Sequence, residues 1–191
     1  MLGTVQQRNP LLGREDLEML FQKYLGIRHV LWLKNGIAGD DTHGHIDDLA
    51  RFVNANTVVI VSEANSEDAN FASLKQNLEL LKSMRDQDQK PLNIVTLPMP
   101  RPLFHEGQRL PASYANFYVA NEVVLVPTFN DPNDRRALAI LAECFPDREV
   151  IGIHSVDLVW GLGTLHCLTQ QQPSVPFDPL EMTSRSSNSR A

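Results

Sequence analysis

The sequence predicts an α/β fold built from a recurring strand–strand–helix–strand unit, and three observations predict it. Residues 52–61, FVNANTVVIV, match residues 117–126, FYVANEVVLV, at a constant offset of 65: Phe52 with Phe117, Ala55 with Ala120, Asn56 with Asn121, and Val58 to Val61 with Val123 to Val126. Each matched segment is followed by apolar residues at helical spacing, and each helix by a short apolar strand.

In chain order, GREDLEMLFQKYL (13–25) reads as a helix with Leu17, Leu20, Phe21 and Leu25 inward, and HVLWL (29–33) as its closing strand. This opening unit lacks a first strand, so the chain is expected to begin inside a repeat. In the matched segments a short strand meets a β-branched strand across an Ala-Asn-x turn; Asn tolerates left-handed backbone, which suits a hairpin. The first hairpin leads into a helix with Phe71, Leu74, Leu78 and Leu81 on one stripe and Ser66 or Asp68 as N-cap, then the strand LNIVTLP (92–98). The second leads into a helix with Leu138, Leu141 and Phe145 on one stripe, then EVIGIHS (149–155). Units of about 60 residues bury their apolar faces against one another in a ring or solenoid, and three closing strands imply about three units. The predicted domain spans 1–176, and the aperiodic segment 177–191 is expected to be a disordered tail.

Composition excludes several function classes. Apolar residues make up 42% and charged residues 21%, as in an ordinary globular protein. A net charge of −6, with 17 basic residues scattered among 23 acidic ones, speaks against a nucleic-acid or anionic-membrane partner, which needs a concentrated basic patch. The start lacks a basic-then-apolar signal peptide, and no apolar run approaches the ~20 residues of a membrane span. Two cysteines, Cys144 and Cys167, make no disulfide framework, so the expected location is the cytoplasm.

Two polar loops carry the chemistry. Gly36 to Asp48 holds Asp40, Asp41, Asp47, Asp48, His43 and His45 among glycines that let the backbone turn sharply. Three readings stand open for it: a Zn or Mn site on His43 and His45, an acid/base and cation-binding site on His45 and Asp47, or a solvated acidic turn. The second loop, Trp160 to Cys167, has a Gly-x-Gly turn expected to lead into a short strand carrying Cys167. Cys144 sits on an apolar helix stripe and reads as an inert core thiol. Cys167 follows a turn and a histidine, which suits a nucleophile that an imidazole from the first loop activates.

The runs WLKNGIAGDDTHGHIDDLARF (32–52), LPASYANF (110–117) and GLGTLHCLTQQQP (161–173), in this order, resemble the agmatine deiminases and the related bacterial peptidylarginine deiminases. The resemblance implies the pentein fold, an α/β propeller of five blades of which about three are present here. It places the nucleophile on Cys167, the general acid/base on His45 and a guanidinium-gripping carboxylate on Asp47. It also implies substrate contacts from Asp41, Asn116, Phe117, Gly161 and Gly163. The implied reaction converts agmatine to N-carbamoylputrescine and ammonia through a covalent thiouronium on the cysteine, with no metal or other cofactor. At full length the resemblance implies a homo-oligomer. Free or peptide-linked arginine is the alternative substrate, and a non-catalytic fragment that binds a partner is the alternative role. The resemblance departs at the front: family members run to about twice this length, and the Trp-x-Arg-Asp motif of their first half, which marks a second guanidinium clamp, is absent. That departure implies a truncated form with impaired activity.

Overall fold

Two sheets of the same design make up the body of the protein. The computed structural model describes residues 9–40 and 44–172. In the first sheet β1 (Ala50–Phe52) pairs antiparallel with β2 (Thr57–Ser62), and β2 pairs in parallel with β3 (Asn93–Pro98), in the order β1-β2-β3. Before these comes α1 (Arg14–Leu25); α2 (Phe71–Ser83) is the crossover that makes the parallel pairing possible. A small antiparallel hairpin follows, β4 (Phe104–His105) with β5 (Gln108–Arg109), which the sequence pattern did not predict. The second sheet repeats the first as β6 (Tyr118–Val119), β7 (Val123–Thr128) and β8 (Glu149–His154), with α3 (Asp134–Cys144) as crossover.

The core lies where sheets and helices meet. Val58, Val59, Ile60 and Val61 of β2 are all buried, as are Val124 and Val126 of β7, because strands covered on both faces need apolar side chains on both. Leu74 and Leu81 of α2 and Ala137 and Leu141 of α3 pack onto them, and Phe145 closes edge-on against Phe117. Among the described residues no helix is long and apolar enough to cross a membrane.

Several expectations are corrected. Residues 29–33 form no strand: a parallel closing strand needs the open edge of its unit's first strand, and no described strand precedes α1. Leu33 is still buried, but Leu25 is 65% exposed, and Leu17 is the one fully buried residue of α1. Neither Asn56 nor Asn121 has positive φ; the first turn is shaped instead by Asn54, whose Oδ1 accepts the Asn56 N–H at 3.1 Å. The two hairpins also differ in register, Phe52 pairing with Val58 while Phe117 precedes its strand and Tyr118 pairs with Leu125. Helix α2 is capped at Asn70, not at Ser66 or Asp68; Asp68 supports the cap by accepting the Asn70 N–H at 2.8 Å. The described residues form two three-stranded sheets and the β4–β5 hairpin, an α/β arrangement of repeated strand–strand–helix–strand units as expected, with no closed barrel among them. The tail 177–191 lies outside the described residues.

Candidate active site

The first loop is placed by amides on α2. Asn77, one turn-pair along from Asn70, is buried among apolar neighbours; its Oδ1 accepts the Lys34 N–H at 2.8 Å and its Nδ2 donates to the Asn35 carbonyl at 2.7 Å. Asn70 Oδ1 accepts the Ala38 N–H at 2.7 Å. These two asparagines lie on the same buried stripe as Leu74 and Leu81 and turn part of it into a loop dock. Gly39 has φ +93°, and a Cβ there would lie 2.6 Å from the Arg109 carbonyl, so the loop can rest on the β5 backbone because this residue is glycine. The loop ends in a single 3-10 turn, Ile46–Asp48, that presents Asp47 and Asp48 just before β1.

Asn116 joins this loop to the second one. It is 1% exposed. Its Nδ2 lies 2.8 Å from Asp48 Oδ1, 3.2 Å from Asp47 Oδ2 and 3.1 Å from Cys167 Sγ. Its Oδ1 accepts the backbone N–H groups of Thr164, His166 and Cys167 and the Thr164 hydroxyl, at 2.9 to 3.3 Å. Those N–H groups are therefore withdrawn from any ladder, and the Leu168 N–H closes back onto the Thr164 carbonyl at 3.2 Å. Cys167 accordingly sits on a helical turn, not on the expected strand. Its Sγ donates to Asp47 Oδ2 at 3.3 Å, and His166 Nδ1 lies 2.7 Å from the same oxygen.

The electrostatics follow from this crowding. Burial works against the Asp47 charge, but hydrogen bonds from His166 and Cys167 outweigh it and hold the carboxyl below its usual range. Asp48 is pushed well above that range by burial and by the charges of Asp47 and Asp40, against the pull of the Asn116 hydrogen bond and of Arg51. Its Oδ2 is buried without a hydrogen-bond partner. Cys167 reaches solvent, yet its sulfur faces Asn116 and Asp47, and burial followed by the two aspartates moves it up to about 11 against the pull of the Asn116 hydrogen bond. The sequence expectation is an activated thiol; in this resting site Asn116 and Asp47 face the sulfur, and burial with the aspartate charges keeps it protonated at neutral pH.

Of the predicted residues, Asp47 and Cys167 meet, from positions 120 residues apart. His45 lies against Asp40, in a cluster with Asp48. Its backbone N–H donates to Asp40 Oδ2 and its Nδ1 lies 3.6 Å from Asp40 Oδ1. Asp40, His45 and Asp48 each place one ligand-type atom within 4.8 Å of the others, so these three could hold a divalent cation. Such an ion would need Asp48 ionised against the push of burial, which makes the donor set a poor fit even though Asp40 could keep Oδ2 on the His45 N–H and offer Oδ1. Asp41 and His43 lie outside the described residues. Asn116 has its amide committed to protein groups, and Phe117 is fully buried beneath Arg51, so neither side chain faces a ligand in this conformation. Gly163 lies against Cys167, whereas nothing comes within 4 Å of a Cβ built on Gly161. Sequence reasoning assigned Arg51 and His166 no role and named Asp40 and Asp48 only among the carboxylates of the first loop. The adjacency of His166 to Cys167 was the one available signal; the others depend on contacts across the fold.

The protonation of Cys167 has a measurable consequence. Iodoacetamide is expected to modify Cys167 slowly at pH 7 and faster with each rise in pH toward about 11, because only the thiolate reacts. Cys144, half-buried on α3 and likewise pushed up by burial and by Glu143, is expected to react more slowly still. Peptide mass spectrometry after timed labelling reads both sites, and a Cys167 rate already at its plateau at pH 7 contradicts this picture.

This arrangement has relatives. The sequence profile of the Porphyromonas-type peptidyl-arginine deiminase family matches residues 3–173. A protein of Marinomonas sp. (strain MWYL1) that carries a provisional agmatine deiminase name is 36% identical over 183 residues, covering 87% of this chain and 50% of that one. Agmatine deiminase of Enterococcus faecalis has a similar structure, with a TM-score of 0.81 at 32% identity over 86% of this chain and 50% of that one. A Porphyromonas gingivalis crystal structure provisionally identified as an arginine deiminase gives a TM-score of 0.86 at 42% identity, covering 90% and 51%. The chain spans about half the length of these relatives.

Proposed function

Because the chain belongs to the Porphyromonas-type peptidyl-arginine deiminase family, we propose that it carries the nucleophilic half of a hydrolase that cleaves the C–N bond of a guanidinium, with agmatine as substrate. The observation that carries this reading is the 3.3 Å contact between Cys167 Sγ and Asp47 Oδ2, which sets a nucleophile beside a carboxylate held in its charged form.

A guanidinium is planar, cationic and resonance-stabilised, so it needs both a grip and a strong nucleophile. Asp47 grips its N–H groups, and the arriving cation offsets the carboxylate field that keeps the sulfur protonated. His45 takes the thiol proton, sulfur attacks the guanidinium carbon, and His45 returns the proton to the departing ammonia. A thiouronium remains on Cys167. His45 then activates the water that hydrolyses it, giving N-carbamoylputrescine and the free thiol. The route runs on these side chains without a metal ion.

The uncovered face of the chain supports an incomplete site. Met19, Tyr24, Leu25 and Ile27 on and after α1 are exposed, and a groove of about 420 Å³ between α1 and the first sheet is lined by Phe21, Leu31, Phe52 and Leu92. Such apolar surface calls for a cover, which in this reading comes from further blades of a five-bladed ring, the intact protein being a cytoplasmic homo-oligomer. Alone, the chain is expected to release ammonia from agmatine at least ~10²-fold more slowly than with a complementary half restored, because one charged clamp is missing. Ammonia release is measured for both, with agmatine, arginine and an arginyl peptide as substrates. A restored enzyme that stays active after Cys167→Ala refutes the nucleophile assignment, and a monomeric, fully active 191-residue chain refutes the incomplete site.

A further inference from the structure

Arg51 lies between the two loops and belongs to neither. It projects from β1, three residues after Asp48, and it is part-buried. Its Nη1 donates to the carbonyls of Ala115 at 3.2 Å and Phe117 at 2.9 Å, the residues on either side of Asn116. Its guanidinium carbon stands 4.7 Å from the centre of the Phe117 ring. One side chain thus fixes the backbone before and after the residue that organises the site, and fixes the orientation of the next ring as well. Both hydrogen bonds leave from one nitrogen, Nη1, while the flat face of the guanidinium lies on the ring, a stacking that the compact ammonium of a lysine cannot reproduce.

The charge matters too. Cys167 is faced by Asp47, which also holds His166, and Asn116 links the sulfur to Asp48, which clusters with Asp40 and His45. Into this anionic set Arg51 brings a permanent cation that interacts favourably with Asp47, Asp48 and the Cys167 thiolate. We propose that Arg51 is a positioning residue of the site: it clamps the 115–117 backbone so that Asn116 can hold Cys167, and it supplies the counter-charge that brings the Cys167 thiolate within reach. It acts through Asn116 and through the field, and it touches no reacting atom. The inference deepens the deiminase reading, but its test needs no turnover.

The readout is the ionisation midpoint of Cys167 in the full 191-residue chain, followed by the 13Cβ NMR shift of labelled cysteine, with the Cys144 signal as internal reference. Arg51→Met keeps the length and the ring contact and removes the cation and both hydrogen bonds. It is expected to move the Cys167 midpoint upward by about one unit, a tenfold loss of thiolate at fixed pH. Arg51→Lys, which keeps the charge but not the planar group on the Phe117 ring, is expected to move it by about half as much. Val126→Ala, a core truncation in β7, is expected to lower thermal stability and leave the midpoint in place. An unmoved midpoint in a folded Arg51→Met chain overturns the proposal. If that variant does not fold, Arg51→Lys decides in the same way, an upward shift supporting the proposal and an unmoved midpoint overturning it. An equal shift in Val126→Ala also overturns it, since the effect would then be one of general destabilisation. If the shift occurs in a chain whose restored enzyme never releases ammonia, the deiminase reading fails and the role of Arg51 stands.

Discussion

A Gly163→Ala variant is expected to lose about 10²-fold or more of the chemistry at Cys167 while Gly161→Ala stays near the parent rate. A Cβ built on Gly163 lies 2.7 Å from Cys167 Cβ and 2.8 Å from Sγ, roughly 1 Å inside an ordinary carbon contact. The clash cannot be relieved by rotating a flexible tip, because the Cys167 Cβ is itself part of it. The turn is also fixed at both ends, by the positive φ of Leu162 (64°) and by the Asn116 amide on the Thr164, His166 and Cys167 N–H groups. The sulfur must therefore move, and a displacement of about 1 Å at a reacting atom costs about two orders of magnitude. At Gly161 a methyl group meets nothing within 4 Å. Ammonia release by the restored enzyme, and alkylation of Cys167 in the chain alone, measure both variants. Equal rates for the two would show that Gly163 does not set the thiol position.

The second large effect is expected at Asn116. Truncation to alanine takes the hydrogen bond from the Asp48 carboxyl and strips the acceptor from the Thr164 and Cys167 N–H groups and the Thr164 hydroxyl, while the His166 N–H keeps the main-chain carbonyl of residue 116 at 3.1 Å. Buried polar groups left unpaired cost about 1–3 kcal/mol each, and the exposed end of the turn recovers some partners from water. A net loss of about 3–5 kcal/mol is expected, which for a domain of this size lowers the thermal midpoint by roughly 10 °C. Scanning calorimetry of Asn116→Ala against the parent chain measures it. Asn116→Asp is expected to keep the acceptor but add a fourth carboxylate beside Asp40, Asp47 and Asp48, driving Cys167 further from ionisation. A midpoint lowered by less than about 2 °C in Asn116→Ala would mean that the turn holds itself.

The local signals in the sequence were those that rest on periodicity. The 65-residue repeat, the apolar β2 and β7 strands and the stripes of α2 and α3 are properties of adjacent residues, and burial of one face enforces them. The pairing of the two loops was legible only through the motifs of the family resemblance, since nothing local links Asp47 to a cysteine 120 residues on. The hairpin turns were read with the right topology and the wrong chemistry, because Asn56 and Asn121 have a propensity for left-handed backbone that the surrounding register did not require.

Tertiary structure decided the rest. HVLWL has the composition of a strand, but a ladder is a property of two segments, and none of the described residues offers this one an edge. In the sequence Cys167 reads as a thiol that an imidazole of the first loop activates; in the fold the groups that touch its sulfur are Asn116 and Asp47, and charge interactions follow distance in space. Asn116 looked like a pocket residue and proved to be the junction of both loops, while Phe117 beside it went to the core. The sequence by itself determined which residues are chemically able to act. Only the packing of β1 against the 115–117 segment decided which of them touch, since hydrogen bonds and fields depend on a few ångströms that no spacing along the chain encodes.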